Sequence, residues 1–366
     1  MRIGILTHYD VNNQGAQLQM YATYMQLKQL GHEPVVLTYK KNYDFEPQLE
    51  KRNQITVASV PYIIKHFLLE KGVRLTWHNV RKYLVNKRFR EQNFRSDCYC
   101  SASIDAALVG ADEVFSLELG VNMMMFGHGV NTDNMIAYAP SSGQTDLNRI
   151  RQFHCEELIG SGLNRFKALS ARDERTRKII HELTGKFAEL VCDPVLLYKF
   201  PLDTYKLPKG TPRKDYMVVY SYDARFVSPS EIAAVKEYAK KNRLLIVSPG
   251  TYHGWCDVNI VCNALEWLKC IQGAKVIVTD TFHGVIASAI TNRPMAIYYS
   301  KTVNSSKMLD LVSRLGLRER LLGEVTFKEL ERVLSVDVDM VALNERIDDY
   351  RQKSITYLKN ALSIVK

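Results

Sequence analysis

The chain has 366 residues, 46% hydrophobic and 24% charged, which describes a globular protein with room for two ordinary domains and excludes a disordered one. Its formal net charge of +10 favours anionic partners: nucleic acid, an anionic membrane surface or small anions. Seven cysteines without CxxC spacing suit free thiols in a reducing compartment; Cys98-Tyr99-Cys100 is too short for a metal site, and no metal is expected.

Arg2 to Tyr9 reads as an apolar strand, not a signal peptide. Asp10 to Gly15 has loop chemistry, Ala16 to Leu30 has helical spacing closed by Gly31, and Glu33 to Tyr39 is the next strand. This β-α-β unit predicts a parallel sheet with helices on its faces. Residues 41 to 100 read as an irregular loop and then basic helices. Within them Lys65 to Arg95 carries nine Lys or Arg, two Glu, and the aromatics Phe67, Trp77, Tyr83, Phe89 and Phe94. One reading is a solvated helical face with its aromatics in the core; the other is a surface for anionic lipid, the expected peripheral membrane contact over 65–95. Nucleic acid is not expected, because no binding motif accompanies the charge.

Further strands are expected at Ala106 to Val109, Met135 to Ala139, Phe166 to Ser170 and Leu190 to Cys192, with a helix from Glu174 to Leu183. Three prolines and a glycine between Tyr198 and Lys214 suggest a linker. A second alternation follows: strands at Met217 to Ser221, Leu244 to Ser248, Val276 to Thr279 and Met295 to Tyr299, and helices at Pro229 to Lys241, Val261 to Ile271 and Val285 to Thr291. The expected fold class is α/β, two Rossmann-like domains facing across a cleft. The expected divisions are an N-terminal domain over 1–205, a C-terminal domain over 215–340, and a last helix over 341–366 packing back on the first. No apolar run approaches the ~18 residues of a spanning helix, so a cytoplasmic location is expected.

Ligands of such sheets sit beyond the carboxyl ends of the strands. Thr279-Asp280-Thr281-Phe282-His283-Gly284 lies where a strand hands over to a helix, whose amino end favours anions. Gly284 admits close backbone approach, and His283 can donate to an oxyanion or exchange a proton near neutrality. A helix cap or a bonded backbone carbonyl explains His283 equally well. Ser170-Ala171-Arg172-Asp173-Glu174 is a second handover, in which Arg172 either forks onto a carboxylate or phosphate or makes a surface ion pair. Asp193, in Cys192-Asp193-Pro194, ends a strand, and alone reads as a turn residue. GxGxxG after the first strand, GxxxxGK[ST], GxSxG and HExxH are all missing, which lowers nicotinamide, ATP-hydrolysing, serine-hydrolase and zinc readings.

In order, Gly4-Ile5-Leu6 with Asn13-Gln14-Gly15-Ala16-Gln17-Leu18-Gln19, Val109 to Val114, Tyr138 to Gly143, Ser170 to Glu174, Cys192 to Pro194 and Val278 to Gly284 resemble the polysaccharide pyruvyl transferase family. The family's usual Gly-Ser-Asp-Gln-Val-Trp reads Gly110-Ala111-Asp112-Glu113-Val114-Phe115 here, a departure expected to bear on acceptor recognition. Its Asp-Ser-Phe-His-Gly reads Asp280-Thr281-Phe282-His283-Gly284. The resemblance implies a GT-B-type pair of domains that moves a pyruvyl group from phosphoenolpyruvate onto two sugar hydroxyls, forming a cyclic ketal. It implies a donor site with Arg172, His283, Thr281 and Gly284, and catalysis by His283 with Asp280 or Asp193. Acceptor contacts are expected from Asn12, Asn13, Gln14 and Gly15. No cofactor is expected beyond phosphoenolpyruvate as co-substrate; the partner is a saccharide, free or lipid-linked. The alternatives are a nucleotide-sugar glycosyltransferase on the same architecture and a non-catalytic anion-binding module of a polysaccharide assembly complex.

Overall fold

The computed structural model describes residues 1–39, 72–118, 122–222, 225–299 and 306–365. The loop expected from residue 41, up to 71, lies outside them, as does the 65–71 part of the basic stretch with Phe67.

Two parallel sheets of six strands organise the chain. The first contains β1 (Arg2–Leu6), β2 (Glu33–Thr38), β3 (Ser96–Cys98), β4 (Ala106–Val109), β5 (Met135–Ala137) and β6 (Phe166–Ala168), in the order β3-β2-β1-β4-β5-β6. A separate parallel pair, β7 (Ser170–Ala171) and β8 (Glu189–Leu190), follows. The second sheet contains β9 (Tyr216–Tyr220), β10 (Leu245–Pro249), β11 (Val258–Ile260), β12 (Val276–Thr279), β13 (Met295–Tyr298) and β14 (Leu321–Leu322), in the order β11-β10-β9-β12-β13-β14. Each sheet therefore runs 3-2-1-4-5-6 in its own count, with the strand order reversing beside its first strand, where Rossmann-type sheets bind their ligands. Ile3, Ile5, Ala107, Leu108, Met217, Val218, Ile277 and Val278 are completely buried, so these strands are covered on both faces and read as continuous apolar runs.

The short edge strands β3, β11 and β14 carry no apolar run long enough to announce them. The strand expected at Phe166 to Ser170 divides at Leu169, because the Ser170 hydroxyl donates to the Ala137 carbonyl and accepts from the Ala139 N–H. The strand expected to reach Cys192 stops at Leu190; the Cys192 N–H instead donates to Ser354 Oγ. The helix expected from Val261 starts at Ala264, behind a reciprocal capping box of Asn263 and Glu266. The one expected from Val285 starts at Phe282.

The segment after β8 is not a loose linker at its start. Tyr198 and Phe200 pack edge to face at 4.9 Å, and Phe200 stacks on Tyr21 of the Gln14–Gln29 helix. The last helix, Met340–Ile364, returns to the first sheet's side: Tyr357 donates to the Ala137 carbonyl, Tyr350 to that of Val191, and Arg351 to those of Leu196 and Leu197. Of the aromatics in the basic stretch, Phe89 is buried and Phe94 packs on Tyr21 and Tyr24, while Trp77 and Tyr83 are exposed.

Candidate functional site

Both switch points feed one seam between the domains. On the first sheet, β1 and β4 part there; the Thr7 hydroxyl bridges to the Ala111 carbonyl, and the chain turns through Gly110, at φ +127°, into Asp112. A side chain on Gly110 would stand 2.0 Å from the Tyr138 carbonyl oxygen, so backbone fills that place. On the second sheet, β12 leads into Asp280, Thr281 and the Phe282–Ile290 helix.

Arg172 follows β7 and is buried. Its Nη1 donates to Asp193 Oδ2 at 2.8 Å, and its Nη2 lies 3.8 Å from Asp112 Oδ1. The guanidinium carbon stands 4.5 Å from the centre of the Phe282 ring, a cation–π contact from the opposite domain. Asp193 caps the Pro194–Leu197 turn, its Oδ1 accepting from the Val195 N–H, while its Oδ2 also lies 3.6 Å from His283 Nε2. One carboxylate thus holds the guanidinium of the first domain and the imidazole of the second. Burial alone raises the Asp193 pKa, but the neighbouring His283 and Arg172 and the Val195 N–H outweigh it and hold the carboxyl far below its ordinary range. Asp112 is lowered as well: Arg172, His283, His8 and Lys307 outweigh its desolvation. Burial acts to lower the Arg172 pKa, but Asp193 and Asp112 outweigh it and keep the guanidinium charged. The Arg172 Nε and Nη2 and the His283 Nε2 are buried and have no hydrogen-bond partner among the described residues.

The other expected residues divide by position. Asp280 does not meet His283; its Oδ2 accepts from Arg225 Nη1 at 3.0 Å. Thr281 caps its helix through the Gly284 N–H at 3.0 Å, so that amide is already taken and does not face a ligand. Gly284 is needed for packing, since a Cβ there would stand 2.2 Å from Thr279 Oγ1. Asn13 caps the Gln14–Gln29 helix, accepting from Ala16 N–H. Asn12 bonds the Asn86 side chain and the Asn79 carbonyl of the Val73–Asn93 helix. Gln14 is buried and reaches across the seam to the Cys262 carbonyl at 3.0 Å, which makes it a strut between domains and not an open acceptor contact. Gly15 is the contact point itself: a Cβ on it would lie 2.5 Å from the His283 ring.

Three further groups escaped the sequence reading. Asp112 belongs to the departing Gly110–Phe115 segment, which lies against Arg172 and so bears on the candidate donor side. Lys307 pairs with Glu113 and stands 5.6 Å from the Phe282 ring centre. Arg225 neutralises Asp280. Neither Lys307 nor Arg225 stands in a recognisable motif. Among the described residues no group of three or more His, Cys, Asp or Glu could hold a metal ion.

The family model for polysaccharide pyruvyl transferase matches residues 13–301, well over half of the chain. The chain belongs to the polysaccharide pyruvyl transferase family. Membership places it among transferases that act on polysaccharide. Among solved structures, UDP-GlcNAc 2-epimerase from Neisseria meningitidis, bound to UDP-GlcNAc, is similar with a TM-score of 0.51 and 9% identity, covering 99% of this chain and 100% of that one. The S. aureus MnaA–UDP structure is similar at 0.50 and 10%, covering 99% and 97%. At such identities the likeness concerns the fold, a GT-B arrangement of two Rossmann-like domains. No curated protein sequence matches this chain.

Proposed function

We propose that this pyruvyl transferase family member moves a pyruvyl group from phosphoenolpyruvate to two hydroxyls of a saccharide, forming a cyclic ketal. The observation that carries the proposal is the buried Nε/Nη2 edge of Arg172, which makes no hydrogen bond among the described residues and has Asp112 only at 3.8 Å, beside a His283 Nε2 that also makes none and lies 3.6 Å from Asp193. Two parallel N–H donors on a guanidinium match the two oxygens of a carboxylate. With Nη1 fixed on Asp193, that edge is already oriented. In the proposed reaction protonated His283 delivers its proton to the donor's methylene carbon, and positive charge develops at the former enol carbon. A sugar hydroxyl oxygen attacks that carbon, its proton passing to the now neutral imidazole. The C–O bond to phosphate then breaks, and the second hydroxyl closes the ring. Its proton leaves with phosphate. Asp193 positions the imidazole, a role Asp280 does not reach. Lys307, 5.6 Å from the Phe282 ring centre, supplies a cation for the phosphate. Exposed Asn12 and partly exposed Asn13 are the acceptor-side candidates.

The acceptor is proposed to be a surface polysaccharide or its lipid-linked precursor, met on the cytoplasmic side; among the described residues no helix is long and apolar enough to cross a membrane. Incubating the protein with phosphoenolpyruvate and candidate saccharides, then weighing the sugar by mass spectrometry, tests the proposal. A mass gain of one pyruvate ketal with release of phosphate supports it. Thermal protection by UDP but not by phosphoenolpyruvate, with no phosphate released, replaces it with a nucleotide-sugar reading. Protection by phosphoenolpyruvate without turnover on any acceptor leaves an anion-binding module.

A further inference from the structure

The Val73–Asn93 helix has its polarity reversed. Its buried residues are His78, Lys82, Asn86 and Phe89, three of them polar. Its outward face is apolar: Val73 is 68% exposed, Trp77 62%, Val80 45% and Leu84 56%. Spaced four, three and four apart, these four fall within roughly 60° of arc on a helix turning ~100° per residue. Arg74, Arg81 and Arg88, all exposed and seven apart, form a row along one side of the stripe. Lys87 and half-exposed Tyr83 stand on the other side. A helix that turns its polar residues inward and its large apolar ones outward has its usual amphipathicity the wrong way round for water on its outer face.

We infer that this face lies on an anionic lipid surface. Charge complementarity selects that occupant. An apolar stripe carrying an indole, bordered by arginines and a tyrosine, matches the boundary between acyl chains and negative headgroups. The long arginine stems lie along the apolar floor while their heads reach phosphate. A second copy of the same helix would bring arginine rows together with only Glu91 near the stripe to answer them. The inner face explains the consequence. Asn86 holds Asn12 at 2.8 Å, Arg90 holds Asp10 at 2.8 Å, and His78 meets the Tyr252 ring of the second domain at 5.5 Å. The helix that touches lipid is therefore the brace of the loop at the seam's first switch point. The inference holds whichever donor the seam takes.

Co-sedimentation of the full chain, without substrates, tests it using vesicles of phosphatidylcholine alone or mixed with phosphatidylglycerol. The protein is expected to sediment with the mixed vesicles and to release at high salt. Trp77 emission, read as the difference from a Trp77→Phe variant, is expected to shift to the blue on binding. The double variant Trp77→Glu/Leu84→Glu, altered only at exposed positions, should keep its circular dichroism and unfolding midpoint and lose binding. Arg74→Gln/Arg81→Gln/Arg88→Gln should weaken partitioning roughly 100-fold at low salt. Failure to bind mixed vesicles, or wild-type binding by the double variant, overturns the inference. So does a dimer that the double variant dissolves. Trp77 emission already blue-shifted and shielded from quencher without vesicles would overturn it too, assigning the face to residues 40–71 of the same chain.

Discussion

The two strand-to-helix handovers at the seam solve one problem with opposite chemistry. In the first domain the cap is ionic: Asp173 accepts from the Thr176 N–H and hydroxyl and from Ser141 Oγ at 2.6 Å. Arg172, one residue earlier, is thereby turned inward onto two carboxylates. In the second domain the cap is neutral, the Thr281 hydroxyl on Gly284, and His283 lies two residues later. Each helix start thus has its third amide capped by one of the protein's own side chains. The first handover depends on charges that need one another; the second carries a titratable ring on an uncharged frame.

The largest separation of the two should appear in paired alanine variants. His283→Ala should lower phosphoenolpyruvate-dependent phosphate release by at least ~10²-fold with a smaller loss of stability than Arg172→Ala. Arg172→Ala should lose activity and also about 3–5 kcal/mol of stability, because Asp193 and Asp112 stay buried without their cation. Equal unfolding midpoints for the two variants would erase the contrast. Gly15→Ala pushes a methyl group against the His283 ring and should cost about 1–3 kcal/mol together with activity, measurable by urea titration and turnover. At the caps, Thr281→Ala should cost about 1 kcal/mol and Asp173→Ala more, since Asp173 serves three donors and Thr281 one.

The smallest effect at neutral pH concerns acid. Asp193 and Asp112 are lowered in the folded state, so between those depressed values and the ordinary ~3.9 the unfolded chain binds more protons. Their contribution is complete above that ordinary value and fades as pH falls toward the native pKa values. Urea midpoints measured from neutrality down to acid should show this slope, and Asp193→Asn should flatten it.

Much of the architecture was legible because buried parallel strands are apolar throughout, and Ile277-Val278 or Ala107-Leu108 admit little else. The two strand-to-helix handovers that hold Arg172 and His283 were legible too, since a strand ending in a polar cluster before a helical run marks one. The sequence hid what depends on long-range packing. Nothing local says that Gln14 crosses to Cys262, that Asp280 belongs to Arg225, or that Lys307 approaches Phe282 from the helix between β13 and β14. Gly284 misled for a related reason: its missing side chain makes room for Thr279 and not for a ligand. The Val73–Asn93 helix shows the same limit, because amphipathic spacing gives the stripe but not which side faces inward.

The returning Met340–Ile364 helix also joins the two halves. The polypeptide passes between them twice, once after Phe200 and again between the Phe327–Leu334 and Met340–Ile364 helices. The halves are therefore tied at two places, and Ser354, which accepts from the Cys192 N–H beside Asp193, sits on the helix that makes the second tie.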